Sequence, residues 1–386
     1  MELKPWLSEF AGIETPFYFY DTGLLQQTLE HIQQQIQGKP YHVHYALKAN
    51  VNPVLLDFIV KAGLGADCVS GNEVRRALEA GFKPKDVVFA GVGKSDKEIE
   101  YALSQKIFSF NVESVEELTV LNELAKQQNT VANFALRINP NVDAGTHEYI
   151  TTGTRNNKFG ITMDELWEVL DHLSQLNHVS FIGIHFHIGS QIVDLQRFKT
   201  LAERINELQK TLVSKGFQLP HVNVGGGLGI DYEHPKHHPI ADFISYFDQF
   251  EQHLDLLPGQ QLHFELGRSI IAQCGSLISK VLYTKPGDKT TFMILDAGMT
   301  ELIRPALYRV SHFIENLTSD LPADTYDVVG PICESSDAFA RGIQLPQTKR
   351  GDMLAIRSAG AYGEVMASQY NLRELPRAYY SDQLKK

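Results

Sequence analysis

From Tyr41 onward, short apolar runs alternate with longer segments whose apolar residues recur every three or four positions. The runs are YHVHYALK (from Tyr41), GADCVS (Gly65), VVFAGV (Val87), IFSFNV (Ile107), NFALRIN (Asn133), VSFIGIHFHI (Val179), HVNVGGG (His221) and QLHFELGR (Gln261). They are rich in Val, Ile, Phe and Tyr and end near Gly, Asn or Ser, which predicts eight strands. Between them, GNEVRRALEAG, SVEELTVLNELAKQQ and MDELWEVLDHLSQL carry the spacing of amphipathic helices. Ser114 to Glu117 has the form of a capping box, and Asp164 falls in the first turn of the third segment. Strand–helix alternation implies a parallel sheet with right-handed crossovers. Eight units over about 225 residues, with polar residues at several strand ends, favour a closed (β/α)8 TIM-like barrel over an open doubly wound sheet.

The rhythm changes after Ser269. GSLISKVLYTK, TFMILDAG, YDVVG and GDMLAIRSAGAY are strand-like with little helix between them, so a mainly-β domain is expected. TPFYFYD, from Thr15, is also a β run and is expected to join that C-terminal sheet. The expected α/β organisation is a barrel over 25–268 and a discontinuous β domain of 1–24 and 269–386.

The formal net charge of −11 argues against a nucleic-acid backbone or an anionic membrane as the main partner. Small anions are not excluded, because local charge reads those. The cysteines are Cys68, Cys274 and Cys333, odd in number and without a CxxC pair. Neither a disulfide framework nor a cysteine metal site is expected, and a reducing, cytoplasmic setting fits. MELKPWLSEF at the start lacks the apolar region of a secretory leader, and no apolar run has the length of a membrane span.

Barrel enzymes place their reactive groups at the C-terminal strand ends. Those ends offer Lys48, Asp67, Arg137, then His185, His187, Gly189 and Ser190, then Gly225, Gly226 and Gly227, and finally Glu265 with Arg268 beyond. Taken singly, each has an ordinary reading. Lys48 could snorkel to solvent, the glycines could form a tight turn, and Glu265 and Arg268 could be a surface ion pair. His185 and His187 share a strand face and could hold a metal or serve as hydrogen-bonded core. Together they are more specific. A lysine for a Schiff base, a glycine turn for a phosphate and a carboxylate for a pyridinium nitrogen are the protein parts that pyridoxal phosphate needs.

The segments YALKAN, FHIGSQ, GGGLG, ELGRS, CESSD and AGAYGEVMASQYN, in that order between Phe17 and Pro376, resemble the alanine-racemase-fold (fold type III) pyridoxal-phosphate-dependent decarboxylases. CES followed by GAYGEVMASQYN favours the branch that turns meso-2,6-diaminopimelate into L-lysine. The resemblance implies that Lys48 bonds pyridoxal 5'-phosphate covalently and that Asp67 lies close to it. Glu265 would meet the ring nitrogen and His187 would stack on the ring. Ser190, Gly225, Gly226, Gly227, Arg268 and Tyr362 would complete the cofactor site, with Arg137 in a supporting shell. Arg268, Arg304, Tyr308, Glu334 and Tyr362 would bind substrate. Cys333, the expected proton donor, and Glu334 would reach the site of a second copy, making a homodimer with shared sites. No metal is expected.

Two positions depart from the family pattern. Leu266 replaces the proline of Glu-Pro-Gly-Arg, and Ser336 replaces the glycine after Cys-Glu-Ser. Neither removes a catalytic group. The rival readings are a decarboxylase of lysine, ornithine or carboxynorspermidine, a racemase on the same fold, and a metal-dependent amidohydrolase. The racemase would want a tyrosine where CESSD lies. The amidohydrolase places HxH on the first strand, not the sixth.

Overall fold

The computed structural model describes residues 2–140, 158–288 and 290–384. Its chain divides into two compact units. One comprises Leu29–Gly229 and Asp242–Gly267, the other Met1–Thr28, Ile230–Ala241 and Arg268–Lys386.

The first unit is a barrel. After β1 (Phe17–Tyr20), which belongs to the second unit, come β2 (Tyr41–Ala46), β3 (Gly65–Cys68), β4 (Val87–Phe89) and β5 (Ser109–Val112). They are followed by β6 (Ala132–Arg137), β7 (Val179–His185), β8 (His221–Asn223) and β9 (Gln261–Leu266). These eight strands, β2 to β9, pair in parallel and in chain order, and β9 closes on β2 through Tyr41–Leu262 to Tyr45–Leu266. Their near-continuous burial explains why the sequence shows apolar runs where a one-sided sheet shows clean alternation. At Gly183, where β7 meets β8, any Cβ would strike the carbonyl oxygen of His221.

Surrounding helices bury one face each. Gln196–Ser214 covers Phe198, Leu201, Ile205 and Leu212, and Phe243–His253 covers Tyr246, Phe247 and Phe250. Phe198 meets Tyr246 edge-on at 4.8 Å, and Phe247 meets Phe264 of β9 at 4.9 Å and 90°. Each such buried side chain contributes on the order of 1.5–3 kcal/mol.

Full capping boxes form at Ser95 with Glu98 and at Thr162 with Glu165. The box expected at Ser114 is only half made. Ser114 Oγ accepts from the Glu117 amide, but Glu117 turns its carboxylate to the Glu113 amide and to Lys94 Nζ at 2.6 Å. The buried Lys94 ammonium needs that negative charge, and an ion pair outbids a neutral cap.

The second unit is an eight-stranded sheet. It adds β10 (Gly275–Pro286), β11 (Thr291–Leu295), β12 (Ile314–Asn316) and β13 (Ala323–Val329) to β1. It is completed by β14 (Ala338–Pro346), β15 (Met353–Ile356) and β16 (Arg377–Tyr380). The path is β12-β15-β10-β11-β13-β14, and β1 lies antiparallel to β10 and parallel to β16. The expected capture of the N-terminal run by the C-terminal sheet is thus realised. Trp6, Phe10, Phe17, Phe19, Ile278 and Leu317 form its apolar core. Leu266 is buried in β9 and Ser336 is exposed.

Candidate active site

Lys48 sits on a single 3-10 turn, Leu47–Ala49, just past the end of β2 at Ala46. Its Nζ donates to Asp67 Oδ2 of β3 at 2.8 Å. The lysine side chain is 33% exposed while the aspartate is wholly buried, so the ammonium is presented and its partner is hidden. Asp67 Oδ1 has no hydrogen-bond partner among the described residues. Burial, and then repulsion from Glu265, push the Asp67 carboxyl above its usual range, against the pull of Lys48.

Glu265 of β9 is held from three strands. Asn111 Nδ2 of β5 donates to its Oε1 at 3.0 Å, and Asn223 Nδ2 of β8 donates to the same oxygen at 2.8 Å. His185 Nε2 of β7 lies 3.0 Å from Oε2. All four side chains are buried. Burial alone would raise the Glu265 pKa, but His185 and then Lys48 hold it well below the ordinary carboxylate range. His185 is therefore a carboxylate clamp. Asn111 and Asn223 were missed in the sequence, although an asparagine inside an apolar strand is a legible signal.

His187 follows the end of β7. Burial, then the positive charges of Arg137 and Lys48, hold its imidazole well below its usual pKa, and so neutral. Arg137 Nη1 pairs with Glu113 Oε1 at 2.7 Å and its guanidinium lies over Phe159. Glu113 also accepts from the amides of Gly91 and Gly160, so this pair ties loops together. Past β8 the chain runs through Gly225 and Gly227 at φ of 69° and 109°, in the region that favours glycine. A Cβ on Gly226 would collide with the Glu265 carbonyl oxygen. Ser190 lies in the loop after β7, and the Ile192 amide of that loop donates to the Gly227 carbonyl.

In the second unit, Arg268 Nη1 donates to Tyr232 Oη at 2.7 Å and its guanidinium lies 4.9 Å from the Tyr362 ring. Tyr362 adopts φ of 55°, a left-handed conformation uncommon for an aromatic residue. Arg304 stacks on the same Tyr232 at 4.7 Å and donates to His312 at 2.8 Å. Tyr308 lies in the same short helix as Arg304, Arg304–Tyr308. Tyr232 and His312 escaped the sequence reading, because nothing in their local pattern marks them. Cys333 and Glu334 are exposed. The Cys333 amide donates to Asn371 Oδ1, and Tyr370 Oη donates to Glu334 Oε1 at 2.7 Å. Asp337 fixes their loop by accepting from the amides of Met299 and Ile332.

Residues 22–272 match the family described as pyridoxal-dependent decarboxylase, pyridoxal binding domain. Diaminopimelate decarboxylase of Bacteroides thetaiotaomicron is 57% identical over 379 residues, covering 98% of both chains. That of Helicobacter pylori strain J99 is 42% identical over 94% of this chain and 89% of its own. The crystal structure of diaminopimelate decarboxylase from Helicobacter pylori complexed with L-lysine superposes with a TM-score of 0.91 at 39% identity. It covers 97% of this chain and 94% of that one.

Proposed function

The chain belongs to the pyridoxal-dependent decarboxylases, and on that premise we propose that it decarboxylates meso-2,6-diaminopimelate to L-lysine and carbon dioxide. It is then a carbon–carbon lyase of lysine biosynthesis with pyridoxal 5'-phosphate as its cofactor. The carrying observation is the joint presence on one barrel of Lys48 against buried Asp67 and of a clamped, ionised Glu265. The 57% identity to a diaminopimelate decarboxylase supports the substrate.

The residues fit that cofactor. The turn past β8 relies on left-handed backbone at Gly225 and Gly227, open to a close approach by an anion, and Asp67 keeps a buried oxygen without a partner among the described residues. Lys48 Nζ would hold the cofactor covalently. Ser190, the Gly225–Gly227 backbone, Arg268 and Tyr362 would hold its phosphate, and His187 would lie on its ring as a neutral imidazole. When bound, pyridoxal phosphate supplies an electron sink for the pair left as the α-carboxylate departs. Glu265 would keep a proton on the ring nitrogen by staying ionised beside it. Asp67 would orient Lys48 Nζ. Arg304, with Arg268, Tyr308 and Tyr362, would bind the distal end of the substrate, a carboxylate suiting a guanidinium fork. Glu334 would take the distal ammonium. Cys333 Sγ would deliver a proton to the substrate Cα.

The proposed active unit is a homodimer in which Cys333 and Glu334 serve the partner's site, an assignment supported by their exposure. Mixing Lys48→Ala with Cys333→Ala subunits restores activity that neither has alone; no recovery counts against shared sites. A cytoplasmic setting is proposed on the three free thiols. No helix among the described residues is long and apolar enough to cross a membrane.

The deciding experiment follows carbon dioxide release from meso-diaminopimelate beside L-lysine and L-ornithine. Release from diaminopimelate, abolished in Lys48→Ala together with the visible absorption of bound cofactor, is the expected result. Release from lysine or ornithine alone overturns the substrate and keeps the chemistry.

A further inference from the structure

Arg304 is 3% exposed, yet the ionisable groups that most affect it are Tyr232, Arg268, Tyr362 and Tyr308, none of them a carboxylate. Its Nε has no hydrogen-bond partner among the described residues. A buried guanidinium without a counter-anion is costly, and an anionic ligand removes that cost. The position of the fork is set by two neighbours. One face lies on the Tyr232 ring at 4.7 Å. One end, Nη1, lies 2.8 Å from His312 Nε2.

Elementary donor rules fix the state of that histidine. His312 Nδ1 lies 2.8 Å from the carbonyl oxygen of Arg357, which can only accept, so Nδ1 carries the hydrogen. Nε2 therefore keeps its lone pair and accepts from Arg304, which can only donate. A doubly protonated ring would set an N–H against the guanidinium. Burial, then the Arg304 charge, lower the His312 pKa to about 3, so the acceptor persists across the neutral range. The ring itself is braced edge-on against Tyr232 at 4.9 Å and 76°. With Nη1 occupied, the guanidinium edge through Nε is the one left for a carboxylate.

We propose that His312 is a positioning residue that makes the enzyme selective for substrates bearing a distal carboxylate, by holding the Arg304 fork from behind as a neutral acceptor. The proposal rests on the reading that Arg304 meets that carboxylate. His312 itself touches no substrate. Its loss lets the guanidinium turn about its stem, so the loss falls on recognition of the second carboxylate.

The test compares His312→Leu, His312→Gln and Arg304→Ala in the cofactor-loaded enzyme. Glutamine can place an amide oxygen near the Nε2 position, whereas leucine offers no acceptor. Two ligands are measured on each variant: KM and kcat for meso-diaminopimelate, and calorimetric binding of 1,5-diaminopentane, which keeps the chain and both amines of the product but lacks the distal carboxylate. The expected result for His312→Leu is KM for diaminopimelate raised by about ten- to a hundredfold, with the larger change in KM and diaminopentane affinity moved far less. His312→Gln recovers most of that loss. Equal weakening of both ligands, or a fall in kcat alone, means a merely structural role and overturns the proposal. So does a His312→Leu enzyme that matches wild type while Arg304→Ala loses diaminopimelate selectively, which leaves the Arg304 reading intact. If Arg304→Ala weakens both ligands equally, that reading fails and the proposal fails with it. Should His312→Leu not fold, the same ratio is read on His312→Ala, which also offers no acceptor, and on Tyr232→Leu, which removes the other brace. Unchanged selectivity in both then overturns the proposal.

Discussion

At Glu265, side chains from three other strands decide the charge of one carboxylate. Asn111 and Asn223 saturate one oxygen and His185 the other, so the group stays ionised although it is buried. Glu265→Gln keeps shape and removes the charge. The expected outcome is a fall in kcat of about 10²–10³-fold with cofactor still bound, checked by steady-state kinetics and by cofactor content. An equal loss of bound cofactor would point to a holding role. Glu73 makes the opposite case. Burial lifts its pKa to about 7, against the hydrogen bond from the Val69 amide. A raised carboxyl pKa contributes stability fully below its unfolded value of 4.5, lost as pH rises through about 7. Glu73→Gln keeps an acceptor for Val69 and abolishes that loss. Its melting temperature should exceed wild type by a few degrees at pH 8, about 1–3 kcal/mol, and match it near pH 4. No gain at pH 8 would show that Glu73 ionises without penalty.

Turns at strand ends, more than the strands, make the element-scale story. The turn after β8 depends on backbone freedom at Gly225 and Gly227 and on the missing Cβ of Gly226. Gly226→Ala forces backbone against the Glu265 carbonyl. The expected cost is about 1–3 kcal/mol of stability, with cofactor affinity reduced further, read by chemical denaturation and by cofactor titration. An alanine variant with normal affinity would free the turn from the phosphate role. The eight strands and the amphipathic helices were legible because burial imposes period on pattern. The half-made box at Ser114 was not, since Lys94, 23 residues before Glu117 in the chain, claims its carboxylate. Local rules hold until a distant charge supplies a stronger partner.

Across the barrel as a whole, three strands contribute a hydrogen-bonded chain of imidazoles. His44 of β2 meets His263 of β9 at 2.9 Å, and His263 meets His221 of β8 at 3.0 Å. Burial lowers all three, His44 to about 4. A depressed histidine contributes stability above its unfolded value of 6.5, lost as pH falls toward about 4. His44 alone represents about 3 kcal/mol over that window. The urea midpoint should therefore drop steeply between pH 6.5 and 4, and His44→Phe should flatten the drop even if it lowers the midpoint at pH 7. A flat wild-type profile would remove the histidines from acid sensitivity.

By itself the sequence determined the alternation of strands and helices, the change to β structure after Ser269, and the identities of Lys48, Asp67, His187 and Glu265 as site candidates. These follow from periodicity, and from reactive residue types placed where apolar runs end. Only the tertiary structure decided that Asn111, Asn223 and His185 converge on one carboxylate, that Tyr232 and His312 brace Arg304, and that three histidines touch. Apart from Arg304 and His312, which are eight positions apart, those contacts join residues far apart in the chain, and closure of the barrel or pairing within the sheet is what brings them within reach.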